Sequence, residues 1–153
     1  MRTIRKTAAL SLIAGLGLVG AVAQAAEDPI ATRQAIMSSV GAAAGLGGGM
    51  MKGEIAYSPA AGKSAIATMR AASLAYGDFF PPGSDQGDTN ALPAVWNDPE
   101  GFQERLTRFA SATEKAVEAS GKDGPADVEA FKAAFGPVLE VCKSCHETYR
   151  KSN

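Results

Sequence analysis

The sequence is poor in side chains that bind metals or form cross-links. It holds one histidine and two cysteines in 153 residues. A structural zinc ion takes four ligands, so these three would need a carboxylate or a second chain to complete the set. Positive charge is not in excess either, with 15 Lys and Arg against 16 Asp and Glu. That balance argues against nucleic acid or an anionic membrane as partner. No strand-like alternation persists along the chain. No βαβ pattern accompanies the cysteines, which removes the usual setting of a thioredoxin-like redox pair. No internal repeat is found.

What is present is concentrated near the C-terminus. Cys142-Lys143-Ser144-Cys145-His146 reads C-x-x-C-H, the attachment signature of c-type haem. Two thiols add across the two vinyl groups of one porphyrin. The imidazole that follows must then reach the iron at the centre of the same ring. On a helix, the i, i+3 and i, i+4 spacings put Cys142, Cys145 and His146 on one face. His146 is then the proximal iron ligand. A plain disulfide is a rival in an oxidising compartment. It leaves unexplained why the chain's single histidine directly follows the second cysteine.

The N-terminus reads as a secretory signal peptide over residues 1–25. Arg2, Arg5 and Lys6 precede an apolar stretch from Ala8 to Val22, and Ala23-Gln24-Ala25 is an A-x-A cleavage signal. The apolar stretch is short of the roughly 20 residues of a membrane span. Cleavage is expected after Ala25, with Ala23 as second choice. Residues 26–153 then form one domain with no membrane anchor. Loss of the three basic residues leaves 12 Lys and Arg against 16 Asp and Glu, a net charge of −4. The expected compartment is the periplasm.

The remaining chain carries the helical period in four stretches. The first is predicted over Pro29–Lys52, capped by Asp28, with Ile30, Met37, Val40 and Ala44 on one stripe. Its glycines leave two alternatives: fraying after Leu46, or close approach by a haem or another helix. The second starts at Ser58-Pro59, with Ile66, Met69, Ser73, Tyr76 and Phe80 on one face, and Pro81-Pro82-Gly83 stops it. A polar connection from Pro81 to about Leu92 follows. The third begins at Asn97 or Asp98, with an Asn97–Glu100 capping box. Phe102, Leu106, Phe109, Thr113 and Val117 keep its period to Gly121. Glu104, Arg108, Glu114 and Lys115 are read as a solvated face. The fourth is predicted from about Pro125 to Lys151, with Val128, Phe131, Phe135, Val138, Cys142, Cys145 and Tyr149 as its seam. Pro137 predicts a kink one turn before the motif. The fold class is therefore all-α, a four-helix bundle with haem covalently attached on the C-terminal helix.

With these residues in place, the chain resembles the cytochrome c′ family, the class II c-type cytochromes. The likeness rests on the C-terminal Cys142–His146 motif with Glu147-Thr148-Tyr149-Arg150 after it, on Phe80-Pro81-Pro82-Gly83-Ser84 and on Ala94-Val95-Trp96. Arg33-Gln34 ahead of Met37 adds to it. The segment Met51–Tyr57 looks most like the low-spin cytochrome c-556 branch. The resemblance implies one haem c bound through Cys142 and Cys145, and a distal position at Met37. There Met37 is either the sixth iron ligand or an unligated apolar lid. Met50, Met51 and Met69 are weaker candidates. The resemblance further implies a haem-propionate contact for Arg33 and Gln34, and a place near the proximal haem face for Arg150. Trp96 and Tyr149 are read as packing residues.

Two functions follow from the two roles of Met37. With Met37 on the iron, the protein is a periplasmic electron carrier serving redox partner proteins, and not an enzyme. With Met37 as a lid, it is a high-spin, five-coordinate haem protein binding nitric oxide or carbon monoxide. Family members often pair as antiparallel dimers through the first two helices, which leaves a homodimer open here.

Overall fold

The computed structural model describes residues 28–152. The expected signal peptide lies outside the described residues. The order of elements is α1 (Pro29–Lys52), α2 (Pro59–Ala75), a 3-10 turn (Tyr76–Phe79), the short α3 (Ala94–Asn97), α4 (Pro99–Ser120) and α5 (Val128–Tyr149). The four long helices close a bundle in which α1 packs on α2 and α5, and α4 packs on the same two.

Each long helix starts from a short polar side chain, and in three of them a proline follows. Asp28 accepts from the amides of Ile30 and Ala31, Ser58 from that of Ala61, and Asp98 from that of Gly101. Proline suits this place, because the first helical residue has no intrahelical use for an amide hydrogen. The cap of α4 is thus Asp98, and the expected Asn97–Glu100 box does not form. Asn97 belongs instead to α3, because Pro99 occupies the first position of α4. The start of α5 also moves from Pro125 to Val128, with Asp127 accepting from the amide of Ala130. Gly124, at a φ of 97°, turns the chain just before it. The C-terminus of α5 comes earlier than expected, at Tyr149, where Arg150 turns extended and pairs with Ala91 in an isolated bridge. Pro137 lies inside α5, which continues on both sides of it.

The main core is built by Met50 of α1, Ile66 and Met69 of α2, and Phe131, Phe135 and Val138 of α5. α1 stays helical through its glycines to Lys52. Of the two alternatives, close approach holds at Gly47, where an added Cβ would strike the Phe135 ring. On α4 the inward period runs through Phe102, Phe109, Thr113 and Ala116, whereas Val117 faces outward at 41% exposure. Thr113 and Ala116 are i and i+3, so the stripe drifts to the smaller residue. A second cluster of Val95, Phe102 and Tyr149 lies where α3, the start of α4 and the end of α5 meet. It places the C-x-x-C-H motif at that end of the bundle.

Candidate functional site

Beside this second cluster the bundle opens into a cavity of 530 Å³. That is within the range of small-molecule and cofactor pockets. Cys142, Cys145 and His146 line it from α5, and Met37 lines it from α1. Arg33, Gln34 and Arg150 line it too, so all seven residues singled out in the sequence border one space. Met37 is the single methionine in the lining, whereas Met50 and Met69 are buried in the core away from it. Val40, Val95, Phe102, Leu106 and Phe109 supply apolar walls.

The ionisable groups here are shifted for simple reasons. Burial raises the thiols of Cys142 and Cys145. At Cys145 the charge of Arg105 pulls the other way. Partial burial lowers His146, and the positive charge of Arg150 lowers it further. The neutral imidazole is the form that can ligate a metal. Tyr76, also in the lining, is pushed up to about 12, chiefly by burial.

Arg33 is the most informative of these side chains. It is 3% exposed, yet its hydrogen bonds all go to neutral acceptors. Nη1 donates to Phe79 O at 2.7 Å and Ser84 Oγ at 2.8 Å; Nη2 donates to Ser84 O at 2.7 Å and Thr89 Oγ1 at 3.3 Å. The guanidinium also lies 4.7 Å from the centroid of the Phe80 ring. Gln34 Nε2 donates to Asp88 O at 2.8 Å. Both polar heads thus hold down the connection between α2 and α3. Burial lowers the Arg33 pKa, opposed by the neighbouring Tyr76 and Asp28. Buried charges are normally paired.

This lining fits a haem. Arg33, Arg105 and Arg150 border the cavity and no carboxylate does. An apolar macrocycle carrying two carboxylates suits apolar walls with unpaired guanidiniums. Among the described residues no group of three or more His, Cys, Asp or Glu is arranged to hold a metal ion. The zinc alternative therefore has no ligand set there. Sequence reasoning missed Arg105 and Tyr76 as lining residues. Arg105 is i+3 from Phe102 and i−4 from Phe109, so helical spacing alone puts it on the edge of the inward face.

The family model described as Cytochrome C' matches residues 28–150. Cytochrome c-554 of Cereibacter sphaeroides is 34% identical over 157 residues, covering 98% of this chain and all of that protein. Cytochrome c′ of Rhodopseudomonas palustris is 36% identical over 143 residues, covering 92% of this chain and 94% of that one. The solved structure of a cytochrome c′ from Rhodopseudomonas palustris superposes with a TM-score of 0.73 at 34% identity, over 82% of this chain and 98% of that one.

Proposed function

The chain belongs to the cytochrome c′ family, and on that footing we propose that it is a periplasmic electron carrier in which His146 and Met37 would ligate the iron. Its cofactor is a covalent haem c, matching the cysteine pair near the C-terminus. When bound, the haem supplies a one-electron iron couple. The observation that carries the reading is that Met37 borders the same cavity as Cys142, Cys145 and His146.

The protein's part is to hold, orient and shield. Cys142 and Cys145 would hold the ring through thioethers. His146, one position after Cys145, would offer its imidazole to the iron. Met37 offers a soft thioether from α1, and Met/His ligation favours a high potential. Val40, Phe102, Leu106 and Phe109 exclude water. Arg33 would gain from the haem carboxylates the countercharge that its neutral acceptors lack, and Gln34 keeps the same loop in place. Arg150 borders the cavity beside His146. No turnover of a substrate belongs to this reading. Pairing of two chains through α1 and α2 does, because their outward residues Ala35, Ala42, Ala67 and Ala71 are exposed and small enough for close approach.

The absorption spectrum of the holoprotein tests the proposal. It is expected to be low-spin in both oxidation states, with negligible carbon monoxide binding. Met37→Ala is expected to become high-spin, to bind carbon monoxide and to lose reduction potential. A wild-type protein that is already high-spin and binds carbon monoxide readily would make Met37 a lid and the protein a gas binder.

A further inference from the structure

We infer that Arg105 is an uncompensated cation on the cysteine side of the haem cavity and that it raises the reduction potential of the iron. The inference rests on the electron-carrier reading above and names a residue that tunes it. Arg105 lines the cavity from α4, facing the same space as Cys142 and Cys145 of α5. It stands three positions after Phe102 and four before Phe109, both of which are walls of that space. Its side chain is half-buried, and its charge is near enough to Cys145 and Tyr149 to act on both.

The lining offers three guanidiniums, those of Arg33, Arg105 and Arg150, whereas a haem brings two carboxylates. Those carboxylates belong to the half of the ring remote from its two vinyl groups. Cys142 and Cys145 would take the vinyls, so the carboxylates would fall away from the cysteine side. Arg33, tied to the connection after α2 through Phe79, Ser84 and Thr89, is placed for them. Arg105 is not.

Protein carboxylates do not neutralise Arg105 either. Among the described residues it makes no hydrogen bond and no ion pair. Its neighbour Glu104 accepts instead from Arg108, from Nε at 3.1 Å and Nη2 at 2.5 Å. Asp98 accepts from Gly101 N and from the Tyr149 hydroxyl, and Glu147 lies 3.8 Å from Lys143. Glu100 on α4, Glu140 on α5, and Asp78, Asp85 and Asp88 after α2 are exposed. None of these carboxylates borders the cavity, and Arg105 does.

Passing from ferrous to ferric iron adds one positive charge to the haem. A fixed cation nearby disfavours that state, and a half-buried cation does so more than a solvated one. Arg105 therefore shifts the one-electron couple toward the reduced form.

Spectroelectrochemical titration of the holoprotein reads the effect, with the electrode giving or taking one electron per iron. Arg105→Gln is expected to favour the ferric state by about three- to tenfold, tenfold being about 59 mV for one electron. Arg105→Glu is expected to move the couple further in the same direction, and Arg105→Lys to keep most of the wild-type potential. Lys115→Gln is the control, an exposed position on the same helix. It lies about 15 Å further along at 1.5 Å per residue, beyond the Debye length of about 10 Å at 0.1 M salt. Its potential is expected to match the wild type. Equal losses in the Lys, Gln and Glu variants would assign Arg105 a packing role and overturn the inference, as would a Gln variant with the wild-type potential. The same spectra test the Met37 ligation separately. A high-spin wild type would remove that ligation and leave the comparison of charges intact.

Discussion

Gly47 on α1 lies directly against the ring of Phe135 on α5, so that a Cβ at position 47 would fall inside the ring's contact surface. Phe135 is fully buried and stacks on Phe131 with centroids 4.9 Å apart. The ring therefore has no free space to retreat into. This contact limits how closely α1 and α5 approach, and α1 and α5 are the helices that bring Met37 and Cys142 to the cavity.

Gly47→Ala should consequently destabilise the protein although alanine is the better helix former. The propensity gain is about 1 kcal/mol, whereas overpacking a well-filled core costs about 1–3 kcal/mol. Gly45→Ala is the control, since that position is exposed and an added Cβ meets nothing within 4 Å. Urea titrations should show a lower midpoint for Gly47→Ala and an unchanged or higher one for Gly45→Ala. Equal midpoints would mean that the Phe135 contact does not limit the approach.

Asp98 joins the start of α4 to the end of α5. One carboxylate oxygen accepts from Gly101 N at 3.1 Å and the other from the Tyr149 hydroxyl at 2.8 Å. Asp98→Ala removes a cap, at about 0.5–2 kcal/mol, and leaves a phenol of 5% exposed Tyr149 unpaired, at about 1–3 kcal/mol. Asp98→Asn retains an acceptor for the cap and should lose less. Thermal unfolding of the two variants checks the order, and an Asn variant as unstable as the Ala variant would contradict it.

The parts of this molecule that were legible in the sequence are those set by local chemistry. Asp28-Pro29 and Ser58-Pro59 announce helix starts because each uses residues adjacent in the chain. The motif Cys142–His146 announces the cofactor for the same reason. Asn97 and Asp98 were ambiguous because both are good caps, and only the place taken by Pro99 separates them. Val117 was misplaced because i+3 and i+4 from Thr113 are both reasonable continuations of the stripe. Arg33 shows the harder limit. Its four acceptors come from residues 46 to 56 positions away, and no local pattern predicts such a set. Arg105 and Tyr76 became visible as site residues only when α4 and the turn after α2 closed around the cavity.

Tyr57 should give the protein an alkaline weakness. Its hydroxyl donates to Pro125 O and its ring packs on Phe131 at 5.6 Å. Burial, and then the charge of Asp127, raise its pKa above the ordinary value. The folded state thus favours the neutral phenol. That contribution is fully present below about pH 10, the ordinary tyrosine pKa, and is lost as pH rises through the higher folded value. Tyr57→Phe should cost about 1 kcal/mol near neutrality. The stability gap between wild type and variant should shrink above about pH 10. A gap independent of pH would show that ionisation of Tyr57 is not coupled to folding.

Arg33→Gln should loosen the connection between α2 and α3 before it unfolds the bundle. The guanidinium is the common partner of Phe79, Ser84 and Thr89. Thr89 Oγ1 also accepts from Ala91 N, and Ala91 pairs with Arg150 beyond the haem-motif helix. Removing the guanidinium leaves several acceptors short of a donor at once, and the shorter amide of glutamine cannot serve all of them. Hydrogen bonds to charged groups contribute about 1.5–3 kcal/mol each, but these share one side chain whose burial is itself costly. A net loss on the order of 3 kcal/mol is therefore expected. Limited proteolysis is the more discriminating readout. Cleavage of the holoprotein between Pro81 and Leu92 should become faster in Arg33→Gln at temperatures where the helical circular dichroism is unchanged. If the loop stays as resistant as in wild type while the melting temperature falls, Arg33 supports the bundle as a whole rather than this connection.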